Sequence, residues 1–213
     1  MSILPSVLRG LFLDLDNTLV DRDAAFARWA RQHTSDPAVI AALTDADDGG
    51  LRPRPDFAAA AIGVLGLARA PAELAAQFPV ELAAHVEPEP GLRDTLALLH
   101  RRCRLAVVSN GGAAGQRAKL ARLGLDGLID AVFISAEVGL AKPDPAIFLH
   151  ALRWAELPAG DAAFVGDNPR GDLAPAAALG MTTIWRERGS WPDDLAPPSF
   201  VIRRIPELLE VCA

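Results

Sequence analysis

The chain has 213 residues, of which 51% are hydrophobic and 23% charged, a composition typical of a globular protein with a substantial core. Its formal net charge of −6, with no Lys/Arg cluster that resembles a phosphate-backbone footprint, argues against a nucleic-acid partner. No apolar run approaches the ~18 residues that span a bilayer, so we expect no membrane partner. Cys103 and Cys212 have neither disulfide-framework nor zinc-type spacing, which favours a cytoplasmic location.

The first predicted element is a buried strand that begins near Leu11 and leads directly into two acids, Asp14 and Asp16. Successive strand side chains alternate between faces, so both carboxylates start out on the same side. Buried acids repel each other unless a proton or a cation intervenes, and Mg²⁺ takes carboxylate and backbone oxygens. The pattern therefore predicts a metal site, or a strand end at which two solvated acids open a turn.

The next segment, residues 20–88, contains helical patterns and no convincing strand. Helices are predicted at 21–33, 38–43, 57–67 and 72–86, with Asp56 as the N-cap of the third. The run Glu-Pro-Glu-Pro-Gly at 87–91 then ends the segment with turn residues. The sequence thus predicts a block of helices inserted after the first strand.

From residue 92 onward, helices alternate with short apolar strands. Strands are predicted at 105–108, 131–135, 162–165, 182–185 and 199–202. Helices are predicted at 92–102, 114–123, 145–157, 173–179 and 206–211. This alternation predicts an α/β fold, a doubly wound, Rossmann-like and mostly parallel sheet. We expect a core domain at 1–19 plus 89–213 and a helical domain at 20–88.

Polar residues follow three of the predicted strands, where open α/β sheets bind their ligands. Asp14 and Asp16 follow the first strand, and Lys142 precedes a helix. The other polar residues at strand ends are Ser109, Asn110, Asp167, Asn168 and Asp172. Each group alone is also typical of an ordinary turn. An α/β fold in general does not require these residues in this order at the ends of its strands.

This order resembles the four signature motifs of the haloacid dehalogenase-like hydrolase superfamily. Residues 14–18, Asp-Leu-Asp-Asn-Thr, resemble its DxDxT motif, and residues 108–111, Val-Ser-Asn-Gly, resemble its second motif. Residues 142–145, Lys-Pro-Asp-Pro, resemble the third, and residues 166–172 match the GDxxxxD form of the fourth. The insertion at 20–88 falls where subclass I of this superfamily carries a helical cap.

The resemblance implies catalytic roles for three residues. Asp14 would be the nucleophile that attacks phosphorus and forms an aspartyl-phosphate. Asp16 would protonate the leaving oxygen and then activate water, and its neighbour Asp14 favours one proton shared by the pair. Lys142 would hold the nucleophile and offset the charge of the phosphate.

The resemblance also implies the groups that bind phosphate and metal. The Ser109 side chain and the Asn110 backbone amide would donate to phosphate oxygens, beside Lys142. The implied Mg²⁺ ligands are two carboxylates and one backbone carbonyl: Asp14, Asp167 and the carbonyl of Asp16. Asp172 is expected either behind these ligands or as an alternative ligand. In the predicted cap, Arg22, Arg52 and Arg54 are candidates for substrate contacts.

Asp16 separates two reaction classes within the family. The dehalogenases lack an acid two positions after the nucleophile, because a leaving halide needs no proton, so Asp16 favours phosphate chemistry. We therefore expect a Mg²⁺-dependent phosphatase of a small phosphorylated metabolite. A phosphoglucomutase-type phosphotransferase and a non-catalytic ligand-binding protein are the alternatives. The substrate stays open among sugar phosphates, nucleotides and phosphoglycolate, and the protein is expected to be a monomer or a dimer.

Overall fold

The computed structural model describes residues 8–125 and 127–212, and within them the chain forms a six-stranded sheet. The strands are β1 (Gly10–Leu13), β2 (Arg104–Ser109), β3 (Ala131–Ile134), β4 (Ala162–Gly166), β5 (Thr182–Arg186) and β6 (Phe200–Ile202). They lie in the order β3-β2-β1-β4-β5-β6, and every neighbouring pair is parallel. The predicted doubly wound parallel sheet is confirmed.

The helices are α1 (Arg22–His33), α2 (Pro37–Asp47), α3 (Arg54–Leu65), α4 (Pro71–Ala84), α5 (Leu92–His100), α6 (Ala113–Leu123), α7 (Ser135–Val138), α8 (Pro145–Ala155), α9 (Ala174–Ala178) and α10 (Leu208–Val211). Those after residue 91 cover both faces of the sheet. On β1, Leu11 and Leu13 pack into one apolar cluster and Phe12 into the other. Because both faces of a parallel sheet are covered, its strands are continuously apolar.

Helices α1 to α4, called the helical block below, surround an aromatic cluster. The rings of Phe26, Trp29, Phe57 and Phe78 contact one another, with centroids 4.5 Å apart for the pair Phe57–Phe78. All four side chains are buried. Offset and edge-on aromatic pairs add to the free energy gained from burying their area. The block therefore has an apolar centre of its own.

Two local predictions are wrong. Asp56 does not cap α3, because that helix begins at Arg54. Asp56 lies in the first turn instead, where the helix dipole stabilises a negative charge. Helix α2 continues to Asp47, beyond the predicted end at residue 43. The helix predicted at 173–179 corresponds to α9, and a π-helical turn at Pro169–Leu173 precedes it.

The predicted division into domains at 1–19 plus 89–213 and 20–88 stays a prediction. Residues 1–7, 126 and 213, which belong to the predicted core domain, lie outside the described residues. In the described parts of the chain, no helix has both the length and the apolarity that a membrane crossing requires.

Two ion pairs fix the segments that connect the helical block to the sheet. Glu89, after the block, lies 2.9 Å from the guanidinium of Arg186 on β5 and accepts a hydrogen bond from Ile205 N at 3.1 Å. Asp21, the N-cap of α1, lies 3.2 Å from Arg188. The chain enters and leaves the helical block beside the same strand.

Phe57→Ala tests the aromatic centre of the helical block. The side chain is fully buried, so truncating it should lower the free energy of unfolding by about 3–5 kcal/mol in urea denaturation. Val64→Ala on the same helix is the control, because Val64 is 39% exposed and its change should stay within about 0.5 kcal/mol. Equal effects of the two substitutions would contradict this account of the block.

Candidate active site

A cleft of about 520 Å³ lies between the carboxyl ends of the strands and the helical block. It is lined by all ten residues proposed as site residues from the sequence: Asp14, Asp16, Arg22, Arg52, Arg54, Ser109, Asn110, Lys142, Asp167 and Asp172. They come from five separate stretches of the chain. Parallel strands end at the same edge of a sheet, which brings residues distant in sequence together.

The floor of the cleft is a cluster of three acids around one lysine. Oxygens of Asp14, Asp167 and Asp172 all lie within 4.8 Å of one another. Lys142 Nζ lies 2.6 Å from Asp14 Oδ1 and 2.7 Å from Asp172 Oδ1. Asp14, Lys142 and Asp172 are buried, and Asp167 is partly exposed. Three carboxylates share one ammonium, so negative charge is in excess.

Burial and this excess charge together shift the pKa values of two of the acids. Burial, together with the neighbouring Asp172 and Asp167, raises the pKa of Asp14 to about 8 in spite of Lys142. Burial and the charge of Asp172 raise the pKa of Asp167 to about 7. A site that makes carboxylates hold protons near neutrality is short of positive charge. A hard divalent cation bound by oxygen ligands fits this set of donors.

Asp16 occupies a different environment from Asp14. Lys119 Nζ lies 2.5 Å from Asp16 Oδ1 and 2.7 Å from Oδ2, and Gln116 Nε2 donates to Oδ2 at 3.0 Å. Burial raises the pKa of Asp16, but the charge and hydrogen bonds of Lys119 and Gln116 outweigh it and hold the pKa below its ordinary value. Asp14 and Asp16 thus pair with different lysines, and one proton shared by the two acids stays a prediction.

A tight turn follows β1 and the two acids. Asp14 N still donates to Val165 O in β4, whereas Leu19 N and Val20 N both donate to Leu15 O. Asn17 takes a positive φ of 57°, which Asn tolerates better than most residues. Its Oδ1 accepts from the backbone N of Arg22 at the start of α1. The turn therefore also sets the entry into the helical block.

The segment after β2 is hydrogen-bonded to Gln116 on α6 and to the backbone of Lys142. Gln116 Nε2 lies 2.8 Å from both Ser109 Oγ and Asn110 O. The Asn110 side chain donates to Lys142 O at 2.7 Å and accepts from Lys142 N at 2.9 Å. The Asn110 side chain thus fixes the backbone of Lys142. The backbone amide of Asn110 is the group predicted to donate to phosphate.

The segment after β4 depends on one close approach. A Cβ at Gly166 would lie 2.4 Å from Asp172 Oδ2, so only glycine allows Asp172 to reach the floor of the cleft. Asn168 Oδ1 accepts from Arg170 N and Gly171 N and caps the π-helical turn that carries Asp172. Trp185 Nε1 donates to the backbone oxygen of Asp167 at 3.0 Å.

The roof of the cleft carries the three arginines predicted to contact substrate. Arg22 and Arg54 both bind Asp47, with N–O distances of 2.7 Å and 3.1 Å. Arg22 and Asp47 are buried, and the Arg54 guanidinium lies 5.2 Å from the centre of the Phe78 ring. Arg52 is exposed at the cleft. Arg22 and Arg54 therefore have a partner within the helical block, and Arg52 faces solvent.

Sequence reasoning missed Lys119, Gln116 and Asp47. On a helix, a lysine three residues after a glutamine looks like an ordinary solvated face. One signal was available, because Lys119 and Lys142 are the only lysines among the 21 basic residues of the chain. No comparable signal marks Asp47, which is one of several acids near the end of α2.

The chain is similar to two curated phosphatases. It is 37% identical over 134 residues to a glyceraldehyde 3-phosphate phosphatase of Methanopyrus kandleri, covering 60% of this chain and 58% of that relative. It is 40% identical over 107 residues to a phosphoserine phosphatase of Thermus thermophilus, covering 50% of this chain and 42% of that relative. The chain thus spans about half the length of the curated relatives it matches.

The fold is similar to that of YfnB from Bacillus subtilis, solved with bound magnesium. The TM-score is 0.82 at 21% identity, covering 97% of this chain and 99% of that one, which establishes the shared fold. A family model, haloacid dehalogenase-like hydrolase, matches residues 8–180, which include all the acids and both lysines of the cleft. The chain belongs to the haloacid dehalogenase-like hydrolases.

Proposed function

We propose that this protein is a Mg²⁺-dependent phosphatase that acts on a small phosphorylated metabolite through an aspartyl-phosphate at Asp14. The observation that carries the proposal is the placement of Asp14, buried and 2.6 Å from Lys142, on the floor of a cleft that also contains Asp16. The names of the two relatives give small phosphorylated metabolites as substrates, which supports the same substrate class here.

In the first step, an Asp14 oxygen attacks phosphorus and the bond from phosphorus to the leaving oxygen breaks. The electron pair of that bond goes to the leaving oxygen, which takes a proton from the Asp16 carboxyl group. The products are the aspartyl-phosphate and a free alcohol. The side chains of Lys142 and Ser109 would bind phosphate oxygens, with the Asn110 backbone amide beside them.

In the second step, water attacks the phosphorus of the aspartyl-phosphate, and the bond from phosphorus to Asp14 breaks. Asp16, now a carboxylate, takes the proton of the water. The pairing of ionised Asp16 with Lys119 corresponds to the form that this step needs. Asp14 is restored as a carboxylate, and Asp16 again carries the proton required for the next turnover.

The acids on the floor would hold the Mg²⁺. Asp14 and Asp167 supply carboxylate oxygens, and the backbone carbonyl of Asp16 is the third proposed ligand. Asp172 belongs to the same cluster but also binds Lys142 at 2.7 Å, so we assign it to orienting Lys142, with metal ligation as its alternative role. A bound Mg²⁺ offsets the negative charge that would otherwise repel the phosphate.

The roof would contact the part of the substrate that is not phosphate. Arg52 is the proposed direct contact, because it is exposed at the cleft. Arg22 and Arg54 are held by Asp47, so we propose that they shape the roof and add positive charge to it. The cytoplasmic location and the state as monomer or dimer stay predictions from the sequence.

The first prediction concerns Asp14→Asn. It should abolish phosphate release, because the amide is a poor nucleophile, without preventing folding. The measurement is phosphate release from glyceraldehyde 3-phosphate, phosphoserine, sugar phosphates, nucleotides and phosphoglycolate, with and without Mg²⁺. Asp45→Asn is the control, since Asp45 is exposed on α2 and should retain full activity.

The outcomes of this assay separate the alternatives. Release that requires Mg²⁺ and is lost only in Asp14→Asn supports the phosphatase. Interconversion of sugar phosphate isomers without release would favour the phosphotransferase. Binding of a phosphorylated compound without any turnover would favour the non-catalytic protein.

The second prediction concerns the metal ligands. Asp167→Asn should weaken Mg²⁺ binding in isothermal titration calorimetry by at least about tenfold, since it removes a charged ligand from the cluster. Asp193→Asn is the matched control, because Asp193 is exposed and absent from that cluster. Chelation should stop wild-type turnover, and added Mg²⁺ should restore it. Unchanged Mg²⁺ affinity in Asp167→Asn would remove Asp167 from the proposed site.

The third prediction concerns substrate binding by the roof. Arg52→Ala should raise KM about tenfold for the preferred substrate and leave the free energy of unfolding within about 0.5 kcal/mol, because an exposed side chain contributes little to stability. Arg31→Ala, at an exposed position of α1 that does not line the cleft, is the control. An unchanged KM in Arg52→Ala would exclude a contact with that substrate.

A further inference from the structure

Each of the two lysines in the chain pairs with one of the two acids of the Asp-x-Asp sequence. Lys142 lies 2.6 Å from Asp14, and Lys119 lies 2.5 Å from Asp16. The other 19 basic residues are arginines. Lys119 and Lys142 are both buried. A lysine is a compact point charge, which suits a narrow site better than a planar guanidinium.

The hydrogen bonds of the two lysines differ in number. Lys119 Nζ contacts three acceptors, the two Asp16 oxygens and Gln116 Oε1, at 2.5, 2.7 and 2.9 Å. An ammonium group has three protons, so these contacts use all of them. Within residues 8–125 and 127–212, Lys142 Nζ contacts two carboxylate oxygens, one from Asp14 and one from Asp172. Lys142 therefore retains a proton to donate to phosphate, whereas Lys119 is fully occupied in holding Asp16.

Gln116 completes the arrangement. Its Oε1 accepts from Lys119, and its Nε2 donates to Asp16 Oδ2 at 3.0 Å. Gln116 and Lys119 stand three residues apart on α6, so they lie on one face of that helix. The two side chains and the Asp16 carboxylate thus form a closed ring of contacts. Rotation of the carboxylate would break at least two of them.

The same face of α6 packs against the helical block. A Cβ at Gly115 would lie 2.7 Å from Pro79 Cβ in α4, so glycine permits the two helices to approach closely. Lys119 lies one turn after Gly115 and is only 4% exposed. Contact with α4 on this face keeps water away from the lysine. Lys119 is thus shielded from solvent, whereas the Asp16 carboxylate, 26% exposed, stays open to the cleft on one side.

We propose that Lys119, assisted by Gln116, is a positioning residue that holds the carboxyl group of Asp16 against the leaving oxygen of the substrate. This inference rests on the proposed phosphatase function and adds to it the device that aims the acid. Because its three protons are on Asp16 and Gln116, Lys119 is assigned an effect through Asp16 and not on the phosphate itself. Without Lys119 the Asp16 carboxyl group is free to rotate away from the leaving oxygen, so the variant should lose protonation of the leaving group and keep the attack by Asp14.

The test compares two kinds of leaving group. 4-Nitrophenyl phosphate releases a phenolate that needs little protonation, whereas an alkyl phosphate releases an alkoxide that needs it fully. Lys119→Met should lower kcat/KM about 100-fold for the best alkyl phosphate of the panel and less than about tenfold for 4-nitrophenyl phosphate. Asp16→Asn should show the same selectivity. Lys119→Arg, which keeps the charge, should recover part of the alkyl phosphate activity.

Equal losses on the two substrates would overturn the inference, because they would indicate a phosphate contact or a general structural role. Unchanged activity in Lys119→Met would overturn it as well. Wild-type enzyme that releases phosphate from neither substrate would remove the proposed function and this inference together. If Lys119→Met does not fold, Gln116→Leu takes its place, since it removes two contacts of the ring and should show the same selectivity.

A second measurement tests the contact independently of turnover. Lysine labelled with ¹⁵N at Nζ should give two side-chain signals in the wild-type protein, one from each lysine. Asp16→Asn should shift the Lys119 signal more than the Lys142 signal, because Asp16 binds Lys119 alone. Larger movement of the Lys142 signal would contradict the assignment of one lysine to each acid.

Discussion

The carboxyl edge of the sheet holds more negative than positive charge, and the rest of the site depends on this imbalance. Four acids meet there, Asp14, Asp16, Asp167 and Asp172, and within the described residues two lysines form ion pairs with three of them. Burial makes the imbalance costly, because a desolvated carboxylate needs a counter-charge. A divalent cation reduces this cost and offsets the negative charge that would otherwise repel a phosphate. The excess charge therefore accounts for the proposed metal, and the metal allows the phosphate to bind.

The parallel sheet and the convergence of the acids could be predicted because both follow from local patterns. Strands buried on both faces are short apolar runs, and residues that follow parallel strands must meet at one edge. The ring around Asp16 could not be predicted in this way. Lys119 and Gln116 lie on a helix, where polar residues ordinarily face solvent, and only the approach of α4 buries them. Their role depends on a packing contact between distant segments.

The contacts of the arginines in the roof could not be predicted from the sequence for a related reason. Arg22, Arg52 and Arg54 were equal candidates for substrate contacts, because the sequence does not show which arginines have an acidic partner. The structure separates them through Asp47, which binds Arg22 and Arg54 and leaves Arg52 exposed. Removing one partner of a buried ion pair is strongly destabilising. Substitution of Arg22 would therefore change both the free energy of unfolding and substrate binding. Of the three arginines, Arg52 is the one whose substitution tests substrate contact without a large loss of stability.

Helix α6 connects the two halves of the proposed chemistry. One face of it holds Asp16 through Lys119 and rests on α4 at Gly115, and α4 also supplies Phe78 to the roof. Neighbouring contacts on α6 thus fix the positions of both the Asp16 carboxyl group and the α4 surface proposed to contact the substrate. A displacement of α4 would expose Lys119 to water and weaken its hold on Asp16, because solvent screens an ion pair. Selection of substrate and protonation of the leaving group should therefore change together whenever this contact is altered.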